Sequence, residues 1–110
     1  YKFKKLRESV DLFKADLNIA GKSYNFISAF ASEYINDLGQ YIIETHNCDV
    51  CLMINLKNKR VYLRKRRDVD LNLSKFANKI CDGGGHDYAA GGHLNEKVMA
   101  LSKQFEPLNG

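Results

Sequence analysis

The apolar residues of this chain change period several times, and each change predicts an element. Phe3, Leu6, Val10 and Phe13 recur at helical spacing with Lys4, Lys5, Glu8 and Asp11 between them, predicting an amphipathic helix over residues 3–15. Gly21-Lys22 breaks that pattern, and the aromatic and β-branched run from Tyr24 to Phe30 predicts a strand. Helical period returns from Ala31 to Thr45 through Tyr34, Ile35, Leu38, Tyr41 and Ile42, with Ser32 placed to cap it and Gly39 weakening it. Val50-Cys51-Leu52-Met53-Ile54 is continuously apolar, as a central strand buried on both faces would be. Lys57-Asn58-Lys59 then predicts a hairpin turn into a strand over residues 60–65.

Leu71, Leu73, Phe76, Ala77 and Ile80 predict a short helix beginning near Asp70 or Asn72. Glycines follow its last turn, as they do at many helix ends. A final strand is expected from Gly91 to Leu94, then a helix capped by Asn95, running through Val98, Met99, Leu101 and Phe105 and closed by Pro107. This order predicts one α/β domain, with helices packed on a mixed sheet of about four to five strands.

Composition fits that reading. The chain has 110 residues, 45% hydrophobic and 27% charged, so it can bury one core but not two. No apolar run approaches a membrane span, and there is no signal-peptide pattern. It begins at Tyr1, the expected start of a processed product or of a piece of something longer. Charge changes the picture more. Lys57, Lys59, Arg60, Arg64, Lys65, Arg66 and Arg67 lie in an acid-free stretch of eleven residues, and Lys2, Lys4, Lys5 and Arg7 form a second group. Such clusters suit a polyanion when they flank a ligand site, and otherwise form a solvated face.

The chemistry concentrates in CDGGGHDYAAGGHL, Cys81 to Leu94, which holds five of the eight glycines and two of the three histidines. Glycine lets a ligand or another backbone approach the main chain closely, and its N–H groups can face an anion. His86 adds a group able to donate, accept or carry charge near neutral pH. These features point to a phosphate- or nucleotide-binding loop. Cys48-Asp49-Val50-Cys51 has the CxxC form, but it runs into a buried strand without a second pair, so reduced core thiols of a cytoplasmic protein are expected. Asp68-Val69-Asp70 reads as a helix lead-in rather than a metal site. No nucleophile–base set is recognisable by spacing.

CDGGGHDYAAGG resembles the GGGH-x-x-AAG signature of the DHH-associated domain, type 1, the C-terminal half of DHH-family phosphoesterases. The likeness extends back through VYLRKRRDVDLNLSKFANKI, similar to the family's arginine-bearing strand and the helix entering the loop, and covers about residues 23–105. Two departures stand out: Asp82 replaces the first of four glycines found in many members, and Tyr62-Leu63-Arg64-Lys65 keeps only the leucine and arginine of the usual strand.

The resemblance implies a division of labour. Residues 23–110 would be the substrate-binding domain, and residues 1–22 a connector helix from an N-terminal DHH domain acting in cis. That domain would carry two metals, usually manganese, and activate water against a phosphodiester. Within this chain Arg64, Gly83, Gly84, Gly85 and His86 would hold phosphate or base, with Lys65, Arg66 and His93 as weaker candidates. No metal or other cofactor is expected on the chain itself. The closest parents implied are oligoribonuclease-like, nano-RNase-like or exopolyphosphatase-like enzymes, with a cyclic-dinucleotide phosphodiesterase also compatible. The expected partner is a nucleotide or short RNA or DNA, an oligomer being compatible and a membrane not. The alternative is a non-enzymatic RNA-binding module, since a similar domain ends alanyl-transfer-RNA synthetases.

Overall fold

The computed structural model describes residues 2–108; Tyr1, Asn109 and Gly110, the outer ends of the two predicted segments, lie outside them. Its elements are α1 (Lys2–Ser9), β1 (Leu12–Ile19), β2 (Lys22–Phe30), α2 (Ile35–His46), β3 (Val50–Asn55), β4 (Arg60–Lys65), α3 (Leu73–Cys81), β5 (Gly84–Gly85), β6 (Ala89–His93), α4 (Glu96–Ser102) and β7 (Glu106–Pro107). Seven strands form one mixed sheet in the order β5-β6-β4-β3-β2-β1-β7. The fold class is the one expected, with more strands than the expected four to five.

Two extra strands come from misread helical periods. Residues 12–19 form β1 instead of continuing the first helix, pairing antiparallel with β2 from Leu12↔Ala29 to Ile19↔Lys22. Phe13 fits the helical repeat, yet it also opens the alternation Phe13, Ala15, Leu17, Ile19, and Leu17 is buried on that face. The long pairing outweighs the marginal stability of one isolated helical turn. β1 turns into β2 through Ala20 (φ 54°) and Gly21 (φ 84°), so Lys22 already belongs to β2. At the other end, α4 stops at Ser102, and Pro107 sits in the short edge strand β7 against β1, where its missing N–H costs nothing.

The remaining elements are close to expectation. β3 is buried along its whole length, parallel to β2 and antiparallel to β4. The β2–β3 connection carries α2 across one face, as a parallel pair requires. α2 starts at Ile35, later than predicted: Tyr34 takes a left-handed conformation (φ 55°) and no side chain caps the helix, so Ser32 is not its cap. α3 is capped by Asn72, whose Oδ1 accepts from the Lys75 N–H at 3.1 Å. α4 begins the same way, Asn95 Oδ1 accepting from the Val98 N–H at 3.0 Å.

The sheet separates two cores. Phe26, Val50, Leu52, Ile54, Val61 and Leu63 meet α3 and α4 on one face. Ile27, Ala29, Cys51 and Met53 meet α2 on the other, with Phe3 of α1 at its margin. α2 covers only the middle of that second face. Beside it, the outer side of β4, β6 and β5 is left open, and the candidate site lies there.

Candidate functional site

The GGGH stretch folds as a small hairpin rather than an open loop. Gly84 pairs with Gly91 and Gly85 with Ala90, and the His86 N–H closes the turn on the Ala89 carbonyl at 2.8 Å. Turn residues Asp87 and Tyr88 accept, through their carbonyls, the N–H groups of Leu73 (3.0 Å) and Lys65 (3.2 Å). The turn is therefore tied both to the start of α3 and to the end of β4.

Two of the glycines serve packing. A Cβ on Gly83 would overlap the Gly91 carbonyl oxygen and lie 2.7 Å from Gly92 Cα. Gly85 holds φ 143°, and a Cβ there would sit 2.8 Å from the Ala89 oxygen. The Gly83 N–H donates to the Ala77 carbonyl at 3.2 Å, so it turns towards α3 and not into a cavity. The helix itself ends one residue earlier than the glycines, on Asp82 in the left-handed region (φ 53°). Asp82 accepts from Asn95 Nδ2 at 3.4 Å, which draws its carboxylate towards α4.

Arg64 stands where two cavities meet. One, of about 300 Å³, is lined by Gly84, Gly85, Ala89, Ala90 and Gly91 of the hairpin, by Arg60, Tyr62 and Arg64 of β4, and by Asn36 of α2. The other, of about 280 Å³, is bounded by Gln40 and Glu44 of α2, by Asn47 that caps it, by the run Arg64 to Arg67, and by Tyr88. Gly39 lets this wall close up: a Cβ there would come within 2.6 Å of Met53 Cε and 3.6 Å of Arg64 Cδ. Arg64 Nη1 donates to Gln40 Oε1 at 3.2 Å. Folding brings Arg64, Gly84 and Gly85 to one cavity, which Gly83 and His86 do not line.

The other predicted basic residues divide into engaged and available groups. Arg66 pairs with Asp68 at 2.6 Å and Asp49 at 3.4 Å and donates to the Asn47 carbonyl at 3.0 Å. The hydrogen bond from Arg66, reinforced by its charge, holds the Asp68 carboxyl below its ordinary pKa. Asp68 thus serves an ion pair and not, as expected, the start of α3. Lys65 Nζ donates to the Val69 carbonyl at 2.6 Å. Both side chains brace the β4–α3 connection, so their charge is partly neutralised or fixed. Arg67 lies over the Tyr88 ring, 5.4 Å from its centroid. His86 stacks on that same ring at 5.3 Å and 8°. His93 is exposed, the cross-strand neighbour of Arg60.

Tyr88 was absent from the sequence-based site, although it links His86 to the basic cavity. Its position two residues after the histidine, beside the alanines, gave a local signal, but only the fold shows that it meets Arg67. The cysteines are all free and buried. Cys48 and Cys51 both join the α2-side core, Cys48 from just before β3 and so outside the alternation of the strand. Burial pushes the Cys48 thiol up to about 11; Cys51 and Cys81 are also raised, burial being the main cause. Among the described residues no three His, Cys, Asp or Glu side chains converge into a group able to hold a metal ion.

The arrangement is an α/β domain in which two adjoining cavities share Arg64, one of them floored by glycines and alanines. No protein-family model matches the chain, and no curated protein matches it. Two solved structures share the fold. An uncharacterized protein from Helicobacter pylori G27 aligns over 82% of this chain and 27% of its own, at 16% identity and TM-score 0.60. A pGpG-specific phosphodiesterase from Vibrio cholerae aligns over 92% of this chain and 34% of its own, at 11% identity and TM-score 0.50. The chain therefore spans about a quarter to a third of each. At these identities the likeness concerns the fold. No helix is long and apolar enough to cross a membrane.

Proposed function

We propose that this chain is the substrate-holding domain of a phosphodiesterase of the DHH type, gripping the phosphates of a nucleotide or short oligonucleotide. The observation that carries the reading is Arg64 at the junction of a glycine-floored cavity and a basic one. A guanidinium there presents a planar fork matched to a phosphate. The Gly84, Ala89 and Gly91 floor lets a sugar-phosphate approach backbone without meeting bulky side chains. Each cavity, about 300 Å³, is of a size for part of a nucleotide rather than a macromolecule. The GGGH-x-x-AAG resemblance and the fold shared with a pGpG-specific phosphodiesterase support the same class.

In this reading the chain binds and positions. Hydrolysis belongs to a metal-bearing DHH domain in the same polypeptide, with α1 leading towards it. His86, held flat on Tyr88, would orient the phosphate or base beside Arg64.

The test is calorimetric titration of the chain with a 5′-phosphorylated dinucleotide at fixed low salt. Arg64→Ala should weaken binding about ten-fold or more, the loss of one charge-assisted hydrogen-bonded contact. Lys57→Ala, an exposed turn charge, should change it less than about two-fold. Binding should fall steeply with added salt. Equal losses from both variants would mean diffuse attraction and would sink the reading.

A further inference from the structure

The cavity on the hairpin side contains more than Arg64. Arg60, Tyr62 and Arg64 alternate along β4, so their side chains leave the same face of the sheet. All three line that one cavity, whose lining contains no carboxylate. Tyr62 is half-buried, its hydroxyl accepting from Asn58 Nδ2 at 3.3 Å, and so is fixed in place between the two arginines. Among the described residues no hydrogen bond or ion pair engages the Arg60 guanidinium. The cross-strand neighbours of Tyr62 and Arg64 are Gly91 and Ala89, which leave a low shelf beside the row.

The spacing of the row sets a ruler. Four residue steps of extended strand lead from Arg60 to Arg64, about 13 Å at the usual rise per residue. In an extended chain three covalent bonds span about 3.5 Å, so the six bonds between neighbouring phosphorus atoms of a nucleic acid reach about 7 Å. Two such steps match the backbone separation of the arginines; one covers about half of it.

We infer that Arg60 is a length-determining residue: it holds the phosphate two steps from the one at Arg64, and Tyr62 backs the two-nucleoside stretch between them. The preferred ligand is then a single strand carrying at least three phosphates in sequence, such as a 5′-phosphorylated trinucleotide, lying along β4 and extending well beyond the cavity, which is of a size for part of one nucleotide. This rests on the proposed phosphate role of Arg64 and adds a second anchor to it.

The experiment titrates 5′-phosphorylated di-, tri- and tetranucleotides into the chain and its variants by calorimetry at one salt concentration. The unmodified chain should bind the trinucleotide about ten-fold more tightly than the dinucleotide, with little further gain from a fourth nucleotide. Arg60→Ala should erase that step while leaving dinucleotide affinity within about two-fold, and Arg60→Lys should restore part of it. Circular dichroism melts of each variant separate lost binding from lost folding. A trinucleotide no tighter than the dinucleotide overturns the inference, as does an Arg60→Ala variant that weakens both ligands equally. Where Arg64→Ala still weakens the dinucleotide, those outcomes leave the proposed function standing. Absence of any Arg64-dependent binding overturns both.

Discussion

Gly83 and Gly84 are neighbours in one motif, yet alanine should act oppositely at the two positions. At Gly83 the new methyl would fall on the Gly91 carbonyl oxygen, with Gly91 C and Gly92 Cα each 2.7 Å away. All three are backbone atoms of β6, which is held by its ladder to β4, so no side chain can swing aside. Relief requires α3 and β6 to separate, opening the contact that also buries Cys81 beneath Gly92. Overpacking of this kind costs about 1–3 kcal/mol when side chains can yield, and backbone partners place Gly83→Ala at the top of that range or beyond it. At Gly84 the nearest atom to a new methyl is Ser74 Oγ at 3.6 Å, ordinary contact. Reduced entropy of the unfolded chain should make Gly84→Ala neutral or stabilising by a few tenths of a kcal/mol to about 1 kcal/mol. With about 4 °C of Tm per kcal/mol for a domain this size, the two variants should differ by roughly 12 °C or more. Thermal melts followed by circular dichroism, with urea titrations to check the unfolding slope, read the difference directly. Since Gly84 lines the cavity, Gly84→Ala should weaken nucleotide binding while keeping stability. Equal melting temperatures for the two would refute the packing described for the hairpin.

Two further outcomes follow from the site and core. Tyr88→Leu keeps the apolar bulk but removes the face on which His86 and Arg67 rest; dinucleotide affinity should drop several-fold with Tm nearly unchanged, and an unaltered titration would deny the ring a part in the site. Because burial raises all three thiols, the unfolded chain releases protons before the folded one does. Stability should therefore decline as pH rises above about 9, towards the Cys48 value of about 11, and Ellman's reagent should label the cysteines only after denaturation. Rapid labelling of the folded protein at pH 8 would contradict the burial assigned to them.

The sequence alone determined those elements whose periodicity has one interpretation. β3 could only be a central strand, because five successive apolar residues need burial on both faces. Asn95 marked one helix start, and Asn72, with Asp70 as the alternative, marked another, through capping chemistry that is local by nature. The GGGH stretch announced close backbone approach, and Arg64 was singled out through the family resemblance. What the sequence left open was what each residue meets. Residues 10–15 fit a helix or a strand, and the eight-residue pairing with β2 decided it. Pro107 signals a helix end or an edge strand with equal force, and β1 provided the edge. Four consecutive basic residues look alike in a list of letters. Folding ties Arg66 to Asp49 and Asp68 and Lys65 to Val69, while placing Arg64 between two cavities and Arg67 on Tyr88. Charge is written in the residue, but its availability depends on partners distant along the chain, and only the tertiary structure supplies those.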